Sequence, residues 1–287
     1  MNITECLQRL RLPRMSLNEQ SSTIVTSALH QTSNLQELIL SENPLGSSVS
    51  CLAENLQHVQ QLETLELRGV LMEEQAFSDL ANSLSFVPGL KVLSVSRNDL
   101  GPSITVLADN LYSVRGLTHL ELSQTQMDKE GAKALSSGLR SLTKLEVLDI
   151  SHNSLGSAVI VIADHLQKTP CLTELNMTNT EMGCDEASAV ANSLKCLQNL
   201  RMLSVGFNPL GRGVCILVQH LTNVPKLRNL NLASVQMRDE EVIAVSKVSK
   251  RTRSLAITTD YVVSMSILVF FSFAYTFAVA IVKANYV

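Results

Sequence analysis

A leucine pattern, L-x-x-L-x-L, recurs along this chain at a nearly fixed interval, and no other feature restricts its fold as strongly. The pattern begins at Leu7, Leu35, Leu62, Leu90, Leu117, Leu145, Leu172, Leu200 and Leu227, so the steps are 28, 27, 28, 27, 28, 27, 28 and 27 residues. Self-similarity at such a period marks a repeat architecture. The strict alternation makes the unit of duplication a pair of 55 residues.

The two kinds of unit differ in the turn after the leucines. The shorter kind carries Asn43, Asn98, Asn153 or Asn208, followed by Leu-Gly two residues on. The longer kind has Val70, Thr125, Thr180 or Val235 there, and Met72, Met127, Met182 or Met237 in place of the second leucine. The opening unit is of the longer length but carries Leu17 instead of that methionine. The methionines are expected to fill the core. A buried asparagine can satisfy turn backbone groups, so units lacking one are expected to close their turn differently.

The second half of each unit has the three-and-four spacing of an amphipathic helix, as in Leu52, Ala53 and Leu56. Acids such as Glu73, Glu74, Asp128 and Glu130 stand at helix starts, where the helix dipole favours them. Each unit is therefore a strand, a turn and a helix. It can bury its apolar side only by stacking on its neighbours. Strands about 4.8 Å apart beside helices about twice as wide force the stack to bend. The predicted fold is α/β: a curved solenoid with a parallel sheet on the concave side and helices on the convex side.

The L-x-x-L-x-L-x-x-N-x-L core with this alternation resembles the ribonuclease-inhibitor class of leucine-rich repeats, the class that also forms the carboxy-terminal arrays of NOD-like receptors. The resemblance covers about residues 7–253. It implies ligand sensing, autoinhibition or enzyme inhibition, and it transfers no contact residue. No G-x-x-x-x-G-K-[ST] nucleotide-binding motif occurs in the chain.

Outward strand positions alternate with the leucines. They place Glu37, Glu66, Arg68, His119, Glu121, Asp149, Glu174, Asn176, Asn229 and Asn231 on the concave face, a mildly acidic stripe among small polar groups. The functional reading is a groove for a protein partner with basic side chains; the competing one is a solvated sheet face without a ligand. His119, Asp149 and Ser123 or Ser151 could approach one another across strands, but an open sheet offers no oxyanion hole. His119 with Glu121 lacks a third metal ligand in register. His165 and His220 take the repeat position of Asn55 and Asn110 and read as surface residues. Neither catalysis, a cofactor nor a metal is expected.

The formal charge of −3 and the lack of a basic run argue against nucleic acid. Six widely spaced cysteines without CxxC read as reduced thiols, and no export signal opens the chain. Residues 1–5 are too short to shield the first unit, which leaves either a piece of a longer protein or an end offered to a partner.

By sequence the leucine phase breaks after Lys250, where a unit beginning at Leu255 would place Thr258 and Asp260 at inward positions. The domain reading is a repeat domain over 1–253 and a juxtamembrane stretch over 254–260. A transmembrane helix over 261–282 and a tail over 283–287 follow. The span has no charged residue and is long enough to cross a bilayer. Lys247, Lys250, Arg251 and Arg253 before it, against Lys283 after it, orient the array toward the cytosol in a single-pass membrane protein. The functional expectation is a membrane-tethered recognition scaffold. The alternatives are a decoy or regulator pairing with another repeat receptor, or an enzyme inhibitor.

Overall fold

The computed structural model describes residues 6–251 and 255–259. Strands β1 (Arg9–Arg11), β2 (Glu37–Ile39), β3 (Thr64–Glu66), β4 (Val92–Ser94), β5 (His119–Glu121), β6 (Val147–Asp149), β7 (Glu174–Asn176), β8 (Met202–Ser204), β9 (Asn229–Asn231) and β10 (Ala256–Thr258) form one parallel sheet in chain order. Helices α1 (Glu19–Ser27), α2 (Ser48–Asn55), α3 (Glu74–Ser83), α4 (Ile104–Asn110), α5 (Lys129–Gly138), α6 (Ala158–His165), α7 (Cys184–Ser193), α8 (Gly213–His220) and α9 (Asp239–Arg251) alternate with the strands. Each helix packs on the next one along the chain. The result is a solenoid of stacked coils.

The register explains why leucine recurs. Leu38, Leu65, Leu93, Leu120, Leu148 and Leu175 stand opposite one another from strand to strand and are all buried. With the helix leucines they form one continuous apolar core, which also takes in Met72, Met127, Met182 and Met237. Burying one such side chain contributes about 1.5–3 kcal/mol, so each added coil stabilises its neighbours.

One asparagine closes two turns. Asn98 Nδ2 donates to Leu67 O at 2.7 Å and to Val95 O at 2.8 Å, while its Oδ1 accepts Val70 N at 2.9 Å and Met72 N at 3.2 Å. Asn43, Asn153 and Asn208 repeat the pattern on Met15 and Leu17, Thr125 and Met127, and Thr180 and Met182. The expectation that the longer units close their turn by other means is therefore corrected for these four. The following unit supplies the missing side chain, and the duplicated pair is also a hydrogen-bonded pair.

The turns also use left-handed backbone at fixed places. Glu42, Arg97, His152 and Phe207, seven residues after the first leucine, have φ of 61°, 59°, 56° and 56°. Gly69, Gln124, Asn179 and Ser234 do the same in the longer units. The glycine of Leu-Gly is the second left-handed residue of the shorter units, with Gly46 at φ 53°. The longer units have their second left-handed residue two positions earlier, at Leu71, Gln126, Glu181 and Gln236, where a Cβ is strained.

The sheet runs beyond residue 253. The sheet continues to β10, because Ile257 rather than Thr258 stands opposite Leu230. That is a step of 27 residues where the alternation requires 28, and it turns Leu255 and Ile257 toward the core. The fold class is also corrected: the described residues form the solenoid and hold no membrane-spanning helix. Among the described residues no helix is long and apolar enough to cross a membrane, and the longest is the 13-residue, charge-rich α9. Residues 261–282, which carried that expectation, lie outside the described residues.

Candidate functional site

The concave face consists of two rows of side chains running across the strands. One row contains Glu37, Thr64, Val92, His119, Val147, Glu174, Met202 and Asn229. The second contains Ile39, Glu66, Ser94, Glu121, Asp149, Asn176, Ser204 and Asn231. Glu66, Glu121 and Asp149 thus share one row, on β3, β5 and β6, with Ser94 between the first two.

The outward positions just past the strands do not all face the groove. Ser41, Ser96, Ser151 and Thr178 are buried, because the chain is already turning into the coil. Ser41 Oγ accepts Arg68 N at 3.1 Å, and Ser96 Oγ accepts Ser123 N at 3.1 Å. These hydroxyls tie neighbouring coils together.

Charge along the groove is uneven. At the β1 end, Arg11 donates from Nε and Nη2 to the Glu37 carboxylate, and Arg9 approaches it at 3.8 Å. The hydrogen bond from Arg11 holds the Glu37 carboxyl below its ordinary value. Arg68 Nε lies 3.8 Å from Glu42, which also faces Arg97 at 3.7 Å. Both arginines of β1 and the Glu42–Arg97 contact are absent from the ten residues singled out by sequence. The leucine pattern at Leu7 already contained Arg9 and Arg11 at outward positions, so that signal was available.

Further along, among the described residues Glu66, Glu121, Asp149 and Glu174 form no ion pair. Burial pushes the Glu66 carboxyl above its ordinary value, and the charges of Glu121 and Glu37 push it further against the pull of Arg11. Ser94 Oγ donates to Glu121 Oε2 at 2.8 Å. Asp149, Asn176 and Asn231 each accept the backbone N–H two residues on, from Ser151 at 2.9 Å, Thr178 at 3.2 Å and Ala233 at 3.0 Å. His119 Nδ1 sits 2.8 Å from Thr118 Oγ1. Glu174 and Asn229 complete the first row. The structure therefore spreads nine of the ten residues along two rows, with Arg68 just past the end of β3, and does not converge them on a point. Among the described residues no three His, Cys, Asp or Glu side chains gather as metal ligands.

The outer positions of the histidines have a structural role. Asn55, Asn110, His165 and His220 each bond the carbonyl four residues earlier, at 2.8, 2.9, 2.8 and 2.9 Å.

Known proteins match this arrangement. A family model described as "Leucine Rich repeat" matches residues 117–136 and 141–158. The chain is 30% identical over 271 residues to mouse "NACHT, LRR and PYD domains-containing protein 12", across 89% of this chain and 24% of the relative. It is 33% identical over 217 residues to pig "Ribonuclease inhibitor", across 71% of this chain and 46% of the relative. The chain belongs to the ribonuclease-inhibitor class of leucine-rich-repeat proteins. It spans about a quarter to a half of the length of these relatives. An internalin from Listeria monocytogenes shares the fold, with a TM-score of 0.51, 17% identity and coverage of 88% of this chain and 80% of that one.

Proposed function

We propose that this leucine-rich-repeat array is a recognition scaffold whose concave face holds a basic protein partner, and that it does not catalyse a reaction. The observation that carries this reading is the row of Glu66, Glu121 and Asp149. Burial raises the Glu66 carboxyl above its ordinary value, and the negative charge of Glu121 raises it further. Strands about 4.8 Å apart keep these carboxylates close. A lysine or arginine from a partner would relieve that repulsion and gain charge-assisted hydrogen bonds. The rigid sheet costs little to order on binding.

The relatives set the order of candidates. Relatives are named ribonuclease inhibitor, so a ribonuclease is the first partner to try. The likeness to NACHT, LRR and PYD proteins supports innate-immune-type sensing, or regulation of such a receptor through its own repeats. The six free cysteines favour a reducing compartment such as the cytosol.

The test is affinity capture from lysate, plus direct titration with a ribonuclease, using the wild-type chain and a variant carrying Glu66→Lys, Glu121→Lys, Asp149→Lys and Glu174→Lys. Loss of specific capture in the variant supports the reading. Capture of the same proteins by both chains removes it.

A further inference from the structure

We propose that the outer side of the fourth and fifth units is a second binding surface, which takes an acidic peptide segment of a partner protein. It lies on the coil edge opposite the asparagine turns, where the helices descend into the strands.

A groove of about 760 Å³ opens between α4 and α5 there. Small residues make the space: Ala134 on α5 stands at the repeat position of Asp79 on α3, which Ser50 bonds across α2 and α3 at 2.7 Å. Gly138 lets α5 approach α4 closely, since a Cβ there would meet Ala108 O at 2.7 Å.

The groove is cationic and aromatic. Arg115, Arg140 and Lys144 line it against Asp109, and among the described residues none of the three cations forms an ion pair. Arg115 Nε is held on Tyr112 O at 3.1 Å, and Arg140 Nη2 lies 2.6 Å from His165 Nε2. These contacts fix the guanidinium groups without neutralising them. Tyr112 on the groove wall is 58% exposed, and Phe86, on the adjoining turn of the previous unit, is 42% exposed. Tyrosine and arginine are the residue types that dominate binding energy at interfaces. The concave face offers acids and no exposed aromatic in its two rows, so the two surfaces select ligands of opposite charge.

An extended acidic segment fits this chemistry. Its carboxylates would meet Arg115, Arg140 and Lys144, and an apolar side chain would cover Tyr112. The probe is a fluorescent peptide of a dozen residues, rich in glutamate with one central phenylalanine, titrated by anisotropy into the full chain. The wild type is expected to bind it in a salt-sensitive manner. Arg115→Glu with Lys144→Glu should weaken binding at least about 10-fold. Tyr112→Ala should weaken it about 5-fold or more. Arg97→Glu, on the opposite rim, should leave it within about twofold, because separated sites act independently. Lys144→Glu alone provides a milder variant if the pair disturbs folding, checked by circular dichroism. No binding up to about 1 mM, unchanged affinity in the reversed variants, or equal binding of the glutamine version would overturn the proposal. So would a single-stranded oligonucleotide of equal charge binding more tightly than the peptide, or self-association of the chain that the same reversals abolish.

Discussion

The Oδ1 of Asn98 accepts the backbone N–H of Val70 at 2.9 Å, 28 residues earlier in the chain. This bond joins a coil that has an asparagine to one that does not. Asn98→Ala would strand Val70 N, Met72 N, Leu67 O and Val95 O in a buried turn. Each buried group left unpaired costs about 1–3 kcal/mol. A loss of at least about 3 kcal/mol is expected in urea unfolding, against less than about 1 kcal/mol for Asn55→Ala at a partly exposed helix end. Equal losses for the two variants would refute the pairing of coils.

That bond also shows what the sequence made legible. The leucine rhythm specified the fold, the core and the strand order, because stacked coils must place like residues in register. The same rhythm showed that Asn98 was a turn residue. It did not show that the side chain serves two coils, because the second set of partners is backbone N–H, which every residue but proline has. On the concave face, Glu66, Glu121 and Asp149 stand at equivalent repeat positions, which the strand register brings into one row. Two-residue alternation would point Ser41 and Ser96 outward, but both are buried, because that alternation stops once the strand ends. Glu42 and Arg97 were missed for the same reason: they sit on left-handed turns, where alternation says nothing.

Leu71 occupies such a turn, with φ 56° and 68% of its surface exposed. Its counterparts Gln126, Glu181 and Gln236 are polar. A left-handed leucine is strained by about 1–2 kcal/mol, which asparagine relieves in part. Leu71→Asn is expected to raise the melting temperature by about 2–4 °C. A lower melting temperature would show that Leu71 contributes packing that outweighs the strain.

Glu37 and Glu66 should respond to acid with opposite signs. The folded Glu37 carboxyl lies below its ordinary 4.5, so its contribution is present above that pH and fades as pH falls through the folded value. The folded Glu66 carboxyl lies above 4.5, so the fold binds its proton more tightly than the unfolded chain does. Its ionisation therefore weakens the fold as pH rises through the folded value. Glu37→Gln should be less stable than wild type at neutral pH, with a gap that narrows below pH 4.5, and Glu66→Gln more stable, with a gap that closes as pH falls through the folded value towards 4.5. Melting curves at neutral and acid pH decide it; gaps of the same sign would contradict the assigned environments.

The concave face as a binding surface is tested most directly by carbodiimide labelling of carboxylates, read residue by residue in the free chain and with a captured partner bound. Protection of Glu66, Glu121, Asp149 and Glu174 is the expected result, with Asp79 and Asp164 on the helices labelled as before. Equal labelling of the four concave acids in both states would contradict the account.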